Sequence, residues 1–375
     1  MAGRTARERE ELARQNAALM AVFERAGFEQ IAPDIIQPAD IFLERSGEDI
    51  RARTFVFNDP DGNELCLRPD LTVPACRFHL SHAAQPEKEA RYSYLGPAFR
   101  FPDEKLSPQE FTQAGLEWFG AAEPIATEAR MLKLAISALE AAGASNLKVT
   151  IGDVGLFAGL LADAQMPERW RRRLQHQFWR PEAFKNLLRG FAVSDTKKRS
   201  SISDVVDSLK AQKPELAVLA WLEKNNFPQQ GSRGLAEVSE RLAEKLADRS
   251  EAPLLSETVA AIENYLLLQD GAADVASKLE SVAGGLAYAK CVAAYKRRLL
   301  ALEEQGLNPK RFQFSASFGR EIEYYTGFVF QIEVNGVNVA GGGRYDDMLG
   351  DLGASKPIPA FGFAIHTERL QAVLA

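Results

Sequence analysis

Hydrophobic and polar residues alternate along the chain in two periods, which mark helices and strands. Up to about residue 26, leucines and alanines recur at helical spacing with charged residues between them, which predicts an amphipathic helix that ends at Gly27. A two-residue alternation on both sides of the turn-forming sequence DPDGN predicts a β-hairpin over residues 54–67. The stretches 92–101 and 111–120 read as strands that extend an antiparallel sheet.

From about residue 157 to 300 the sequence becomes helix-dense and rich in charges, and strand-like alternation resumes after it. A helix is predicted over 127–143, and Val-Asn-Gly-Val at 334–337 predicts a tight hairpin. The predicted fold is therefore α+β, with an antiparallel sheet flanked by helices. Its core is expected to be discontinuous, residues 1–156 and 301–375, and to be interrupted by a helical insertion, 157–300.

Composition places the chain among ordinary globular proteins. It has 375 residues, of which 46% are hydrophobic, enough to bury a large core. The first residues are charged and helix-prone, with no apolar signal core, and no run approaches the ~18 apolar residues that a membrane span needs. We therefore expect a cytoplasmic protein with no membrane partner.

Charge and cysteine content argue against two other kinds of site. The formal charge of −6 gives no general attraction for a phosphate backbone, so we expect no nucleic-acid partner. Cys66, Cys76 and Cys291 lack the CxxC spacing of a zinc site and leave an odd cysteine after any pairing. His79 and His82 have no cysteine or acidic companion at ligand spacing. We expect neither a metal site nor a cofactor.

Polar side chains of the kinds that hold a zwitterionic amino acid occur on several predicted strands and strand edges. Such a pocket needs carboxylates for the ammonium group, cationic donors for the carboxylate, and acceptors for a polar side chain. Taken singly, a carboxylate on a strand more often lies on a solvated face or binds a neighbour, and only the joint occurrence is specific. The candidates are Asp70 and Thr72 in LRPDLT, Gln113 and Glu117 in FTQAGLE, Arg320, Tyr324 and Tyr325 in GREIEYYTG, and Tyr345 in GGGRYD.

The run AGGGRYD at 340–346 contains three consecutive glycines, which permit positive φ and a close approach to a ligand or a crossing strand. It has neither the strand-to-helix setting of a dinucleotide fingerprint nor the Gly-Lys-Ser/Thr ending of a P-loop. We interpret it as the floor of the amino-acid pocket.

Four segments together resemble the catalytic core of histidyl-tRNA synthetase, a class II synthetase, over nearly the whole chain. They are LRPDLT at 67–72, YLGPAFRFPDE at 94–104, GREIEYYTG at 319–327 and AGGGRYDDM at 340–348. The resemblance implies a class II aminoacyl-tRNA synthetase-like fold and a pocket for histidine.

The same resemblance assigns a role to each candidate residue of that pocket. Asp70 stands where the synthetases usually carry Glu. Arg100 and Tyr324 are included among the predicted histidine-binding residues. By the resemblance, the α-ammonium group would bind Asp70, Thr72 and Gln113, the imidazole nitrogens would bind Glu117 and Tyr325, and the pocket would be closed by Tyr345.

The resemblance is weaker where a synthetase binds ATP. Arg100 matches the motif 2 arginine that grips the α-phosphate, and Arg369 matches the motif 3 arginine that holds the far phosphates. The acidic residue expected two positions after Arg100 is Pro102, with Asp103 one place off. Proline can neither accept nor donate a proton and restricts the loop, so we expect poor support for a nucleotide.

Two further differences from the synthetases also argue against ATP binding. Gln109 and Thr112 stand where the synthetase loop carries a second basic residue and a His-Gln pair. His366, followed by Thr367, stands where the family has a glycine before the Glu-Arg pair of motif 3. An imidazole at this position should crowd the adenine site. The resemblance therefore implies a chain that binds histidine but does not activate it.

Arg320 aligns with the arginine that assists carboxylate activation in histidyl-tRNA synthetases. Its retention would keep a cation for the carboxylate of bound histidine, and an ion pair with Glu321 or Glu323 is the alternative. The sequence ends soon after Arg369, and we expect no anticodon-binding domain, which would need ~100 residues.

This combination resembles the ATP phosphoribosyltransferase regulatory subunits, the synthetase-related family of histidine biosynthesis. The resemblance implies a subunit without its own turnover that joins a short-form catalytic ATP phosphoribosyltransferase in a hetero-oligomer. It also implies self-association through the class II dimer face, and L-histidine as the ligand of feedback inhibition.

Two other functions remain open on the sequence. The chain could be a truncated histidine-activating ligase that serves a non-tRNA acceptor, which histidine-dependent pyrophosphate exchange would reveal. It could also be an RNA-sensing module that resembles the synthetase domain of stress kinases, which RNA binding with a steep salt dependence would reveal.

Overall fold

A large β-sheet collects strands from both halves of the sequence. The computed structural model describes residues 3–45, 52–101, 109–178, 180–193, 248, 251–318 and 324–374. Within them the strands are β1 (Glu29–Gln30), β2 (Ile36–Pro38), β3 (Val56–Asn58), β4 (Glu64–Leu67), β5 (Ala90–Phe99), β6 (Glu110–Phe119), β7 (Leu147–Asp153), β8 (Gln269–Gly271), β9 (Gln313–Ser315), β10 (Phe328–Val334), β11 (Val337–Arg344) and β12 (Ala360–His366). A 9-stranded sheet has the order β1-β5-β6-β12-β11-β10-β7-β9-β8, and a 3-stranded sheet has the order β2-β4-β3.

The centre of the large sheet is antiparallel, as predicted. Every neighbouring pair from β5 through β6, β12, β11 and β10 to β7 is antiparallel. The pairs β1–β5 and β7–β9 are parallel, which the sequence analysis did not predict. A parallel pair needs a long crossover connection, and local alternation does not show where such a connection returns to the sheet.

Helices flank this sheet and also account for most of the described residues between β7 and β8. In the described residues they are α1 (Ala6–Arg25), α2 (Ala39–Arg45), α3 (Thr72–His82), α4 (Pro124–Ala141), α5 (Val154–Asp163), α6 (Glu168–His176), α7 (Pro181–Ala192), α8 (Ser256–Leu266), α9 (Val275–Ser281), α10 (Leu286–Glu304), α11 (Met348–Asp351) and α12 (Thr367–Leu374). None of these described helices is long and apolar enough to cross a bilayer. The α+β prediction is confirmed.

The chain divides into two units. One contains residues 1–164 and 261–375, and the other contains residues 165–260. Both sheets lie in the first unit, together with α5, α9 and α10. These three helices fall almost entirely inside the predicted insertion, 157–300. Where an inserted domain would begin and end therefore stays a prediction.

Helix α1 begins and ends where local interactions dictate. Thr5 forms a capping box with Glu8: Thr5 Oγ1 accepts from Glu8 N at 3.3 Å, and Thr5 N donates to Glu8 Oε2 at 2.7 Å. Gly27, with φ of 82°, takes the left-handed conformation that ends the helix, as predicted. The buried residues of α1 recur at helical spacing and include Leu12, Leu19, Val22 and Phe23.

Both predicted hairpins are confirmed. Asp59 Oδ1 accepts hydrogen bonds from Asp61 N at 2.9 Å and Asn63 N at 2.8 Å, which fixes the turn between β3 and β4. Asn335 and Gly336 both have positive φ, 51° and 81°, as a tight β10–β11 turn requires.

The first unit is layered. Helices α1, α4 and α12 pack against the large sheet and α1 contacts both other helices, so the three form one layer. A second cluster of buried side chains includes residues of β4, β5, β6, α2, α3 and α11. Tyr94 and Tyr345 lie in that cluster, and Tyr324 and Tyr325 pack against it. The candidate site lies here, between the sheet and α3.

The second unit contains α6 and α7. The Trp170 ring stacks on Phe191 with 4.3 Å between ring centroids. Asp248 accepts hydrogen bonds from Arg169 Nε at 2.8 Å and from Arg173 and Trp170, so this carboxylate balances basic residues of α6. Arg169 and Arg173 are therefore ion-paired with Asp248 within the unit.

Candidate amino-acid-binding site

The Glu117 carboxyl group lies at the centre of the candidate site. Glu117 is on β6 and is 0% exposed. Tyr94 Oη donates a hydrogen bond to Glu117 Oε1 at 3.0 Å, and Tyr345 Oη donates to Glu117 Oε2. The Thr72 hydroxyl also hydrogen-bonds to this carboxyl group. Side chains from β5, from the end of β11 and from the start of α3 therefore converge on one acidic group.

Two glycines leave the space for these side chains. Gly362 of β12 pairs with Glu117 of β6, and a Cβ atom at Gly362 would overlap Glu117 Oε2. Gly115 pairs with Tyr94, and a Cβ atom there would lie 2.5 Å from Tyr94 Oη. Side chains of adjacent strands therefore lie over the glycine backbone, which no larger residue would permit.

Burial controls the ionisation of the two acidic groups in the site. It raises the pKa of Glu117 to about 8, while hydrogen bonds from Tyr345, Thr72 and Tyr94 act to lower it. Burial also raises the pKa of Asp70, against the opposite effect of Arg100. At neutral pH Glu117 is therefore mostly protonated, and its carboxyl group can donate as well as accept a hydrogen bond.

The turn before α3 carries Asp70 and Thr72 into the site. Asp70 Oδ1 accepts a hydrogen bond from Val73 N at 3.2 Å, an arrangement that stabilises the first turn of the helix. Arg68 anchors the strand that leads into this turn, because its Nε donates to Pro97 O at 2.7 Å. Both Asp70 and Thr72 are buried.

Gln113 and Arg100 hold the same turn from the sheet side. Gln113 Oε1 accepts a hydrogen bond from Leu71 N at 3.1 Å, and Gln113 is itself buried. Arg100 Nε donates to Pro69 O at 2.7 Å. The turn is therefore bound to β6 and to the end of β5.

Three tyrosines form the aromatic wall of the site. The Tyr324 ring meets the rings of Tyr325 and Tyr345 edge to face, with 5.0 and 5.8 Å between centroids. A Cβ atom at Gly343 would lie 2.8 Å from Tyr325 Cε1, so the last glycine of the run leaves space for this ring. Burial raises the pKa of all three tyrosines, and their hydroxyl groups stay protonated near neutral pH.

Comparison of the sequence with known proteins identifies the family of the chain. Residues 2–370 match the family model described as histidyl-tRNA synthetase. The chain is similar to the ATP phosphoribosyltransferase regulatory subunit of Brucella anthropi, with 34% identity over 367 residues, 94% of this chain and 95% of the relative. The corresponding subunit of Brucella canis is 34% identical over 351 residues, 90% of this chain and 91% of the relative. The chain belongs to the ATP phosphoribosyltransferase regulatory subunit family.

Solved structures have the same fold as this chain. One is the ATP phosphoribosyltransferase regulatory subunit/histidyl-tRNA synthetase from Bacillus halodurans C, with a TM-score of 0.69 and 21% identity, covering 100% of this chain and 82% of that chain. Another is a histidine–tRNA ligase subunit from Alicyclobacillus acidocaldarius, with a TM-score of 0.62 and 23% identity, covering 100% of this chain and 95% of that chain. The predicted class II synthetase-like fold is confirmed.

In this member of the regulatory subunit family, the predicted site residues of the described part of the chain come together. Hydrogen bonds, ring contacts and close charges join Asp70, Thr72, Gln113, Glu117, Tyr324, Tyr325 and Tyr345 in one cluster, and Arg100 adjoins it through Asp70. Arg320, Pro102 and Asp103 lie outside the described residues. What this site binds stays a prediction.

Sequence reasoning missed two residues of the site. Tyr94 donates to Glu117, and the Cys76 thiol lies beside Tyr345, with which it hydrogen-bonds. Burial raises the pKa of Cys76 well above its usual range, so it remains a thiol. Tyr94 is the first residue of the motif YLGPAFRFPDE. Its position beside the acid follows only from the β5–β6 register, in which Tyr92 lies opposite Glu117 and Tyr94 is the diagonal neighbour of Glu117.

Aromatic and cationic side chains are stacked at the place where the sequence predicted a site that supports a nucleotide poorly. The His366 and Phe111 rings stack with 4.9 Å between centroids, and Arg100 lies over the Phe111 ring at 5.4 Å. Burial lowers the pKa of His366 to about 3, helped by Arg369 and Arg100. The imidazole is therefore neutral, and it covers a face of Phe111.

Glu368, which precedes the motif 3 arginine, is bound to other groups of the chain. Glu368 Oε2 accepts from Thr112 N at 2.8 Å, and Oε1 accepts from Thr112 Oγ1 at 2.7 Å. Arg4 Nη2 donates to Glu368 Oε1 at 2.6 Å. Thr112, one of the predicted departures, therefore binds both oxygens of this carboxylate.

Proposed function

We propose that this chain is a regulatory subunit of ATP phosphoribosyltransferase that acts in the cytoplasm, binds L-histidine around Glu117 and has no turnover of its own. The observation that carries the proposal is the buried Glu117 carboxyl group, ringed by hydroxyl groups and joined to the Asp70–Thr72 turn. A buried acid that keeps its proton can also donate a hydrogen bond to a ligand with a suitable acceptor.

Histidine has the groups that such a pocket accommodates. Its imidazole presents one N–H donor and one acceptor, and its pKa of about 6.5 is close to that of Glu117, about 8. A proton can therefore be shared between the two groups. The Tyr325 hydroxyl would bind the other ring nitrogen, and Asp70, Thr72 and Gln113 would bind the ammonium group.

The stack of His366 on Phe111 supports the absence of histidine activation. An adenine ring that used this face of Phe111 would have to displace the imidazole. Class II adenylation also depends on fixed cations around the phosphates. Arg100 instead donates through Nε to Pro69 O and lies against Phe111. We therefore propose binding of the amino acid without its adenylation.

The partner of the proposed complex is a short-form catalytic ATP phosphoribosyltransferase, so the assembly is a glycosyltransferase. Histidine inhibits such a complex only if it binds one arrangement of the subunits better than the other. A coupling of about 1–3 kcal/mol corresponds to roughly 5–150-fold in affinity. Pocket closure around Tyr325 and Tyr345 is the change that a subunit contact would have to sense.

Self-association is proposed through the solvent-facing side of the small sheet. The register pairs Ile36 with Leu67, and Leu65 with both Pro38 and Phe57, so these five apolar side chains share one face. Ile36 is 52% exposed and Phe57 is 37% exposed. A continuous apolar face of this kind is typical of an interaction surface. We propose a second copy of the chain as its occupant.

Co-purification with a short-form catalytic subunit, followed by activity measurements with and without L-histidine, tests the proposal. The expected results are a stable complex, higher activity than that of the catalytic subunit alone, and inhibition by histidine. No complex, or activity that histidine leaves unchanged, would contradict it.

A further inference from the structure

A buried network of ion pairs lies behind the candidate site. Arg298 of α10 donates from Nε to Glu128 Oε2 and from Nη1 to Asp153 Oδ2, both at 2.7 Å. Arg298 is 4% exposed and Glu128 is 1% exposed, so the charges depend on each other for neutralisation. Arg344 joins the network, with Nη1 3.4 Å from Glu128 Oε1 and Nε 2.6 Å from Asp346 Oδ2.

The network and the site occupy opposite sides of the same strand end. Arg344 is the last residue of β11, and Tyr345, which binds Glu117, follows it directly. Successive side chains of a strand point to opposite faces, so Arg344 faces Glu128 of α4 while Tyr345 faces Glu117. Arg344 can therefore influence the site only by positioning its residues.

The segment that carries Tyr324 and Tyr325 is bound to the residues of this network. Thr326 N donates to Arg344 O at 2.8 Å, and Asp346 N donates to Thr326 Oγ1 at 3.1 Å. A Cβ atom at Gly327 would lie 3.2 Å from Arg344 Cδ, so the arginine stem packs directly on this segment.

The other side of the segment is bound to Asp153. Phe328 pairs with Asp153 in the β10–β7 register, and Val154 N donates to Gly327 O at 3.0 Å. Arg298, which binds Asp153, also lies over the Phe328 ring at 4.9 Å. Residues 326–328 are thus held between Arg344 on one side and Asp153 with Arg298 on the other.

We propose that Arg344 is a positioning residue of the amino-acid pocket, which fixes Tyr324 and Tyr325 relative to Tyr345 and so sets ligand affinity without contacting the ligand. The proposal rests on the proposed function and extends it to residues outside the pocket. Binding groups must be held within about 0.5 Å of their productive geometry, so loss of this support should weaken binding.

The test is calorimetric titration of L-histidine into the complete chain with Arg344→Gln, which removes the charge and the guanidinium fork. The dissociation constant is expected to increase at least five-fold, and Arg344→Lys, which keeps the charge, should restore part of the affinity. Asp346→Asn changes the half-buried ion-pair partner of Arg344 and should also increase the dissociation constant. It replaces Arg344→Gln in the test if that variant folds poorly.

Lys148→Gln is the matched control. It breaks the exposed Lys148–Glu333 ion pair, 3.1 Å long, at the far end of the same β7–β10 strand pair. It should leave the dissociation constant unchanged. An Arg344→Gln variant that loses thermal stability but keeps wild-type affinity would show a purely structural role and overturn the proposal.

Hydrogen exchange separates this proposal from the proposed function. The Thr326 amide and its neighbours should exchange faster in Arg344→Gln than in the wild type, whatever the ligand. If the wild type binds no histidine, the proposed function fails. In that case unchanged exchange at Thr326 in the variant overturns the positioning role, and faster exchange supports it.

Discussion

Gly362 lies opposite Glu117 in the β6–β12 pair, and the Glu117 carboxyl group occupies the space that a side chain at Gly362 would need. The acid reaches Tyr345 across the backbone of β12 only because that backbone carries no Cβ atom here. Residue 362 is therefore required to be glycine by the position of the Glu117 carboxyl group.

Gly362→Ala should destabilise the chain through this contact. We expect a loss of about 3 kcal/mol in the free energy of unfolding, measured by denaturant titration, because the Glu117 carboxyl group is buried and cannot move aside easily. In a Glu117→Ala background the same substitution should cost about 1 kcal/mol or less, since the nearest atoms belong to Glu117. Equal costs in both backgrounds would show that Gly362 is required for another reason.

Histidine affinity should depend on pH with a maximum between about 6.5 and 8. Below about pH 6.5, dissolved histidine is protonated while Glu117 still holds its proton, so binding must release one proton and weakens as pH falls. Above about pH 8, the pKa of Glu117, neither group holds the proton, so binding must take one up and weakens as pH rises. Tyr94 and Tyr345 stay protonated, because burial raises the pKa of each.

The Glu117→Gln variant provides the control for this pH profile. It cannot titrate at residue 117, so its weaker histidine binding should fall less steeply than that of the wild type as pH rises above 8. Calorimetric titrations at several pH values measure both profiles. If the wild type and Glu117→Gln lose affinity in parallel above pH 8, another group is responsible.

Histidine-dependent pyrophosphate exchange should remain at background with this chain. The His366 ring covers Phe111, and Glu368 is engaged by Thr112 and Arg4. A histidyl-tRNA synthetase assayed in parallel confirms that the exchange is detectable. Turnover above background by the wild type would favour the histidine-activating ligase instead.

Substitution on the small sheet should shift the oligomeric state. Phe57→Asp places a charge on the apolar face that includes Ile36 and Leu65, so light scattering should show a smaller particle than for the wild type. Leu300→Asp changes an apolar residue on α10 that is more exposed than Phe57, and it should leave the particle size unchanged. An unchanged size for both variants would place self-association elsewhere or exclude it.

Much of the fold could be predicted from local patterns, because each confirmed element has its own signal. The capping box at Thr5, the Asn335–Gly336 turn and the alternation of β5 and β6 depend on neighbouring residues only. The parallel pairs β1–β5 and β7–β9 depend on distant partners, which local alternation does not specify.

The site could be predicted in its residues but not in its organisation. The sequence motifs indicate that Glu117 and Tyr345 belong to the site. Only the strand register shows that these two residues bind each other. The roles of Tyr94 and Gly362 depend on which strands are adjacent, and that of Arg344 depends on packing against α4. These relationships are three-dimensional and leave no local pattern in the sequence.

Titration calorimetry of L-histidine into the purified chain, alone and with a short-form catalytic subunit, tests the central claim most directly. We predict saturable binding that Glu117→Gln weakens at least ten-fold while the variant keeps its fold and its assembly, an effect of about 1.4 kcal/mol. A folded wild-type chain that gives no binding heat with or without its partner, or a Glu117→Gln variant that binds as tightly as the wild type, would contradict the account.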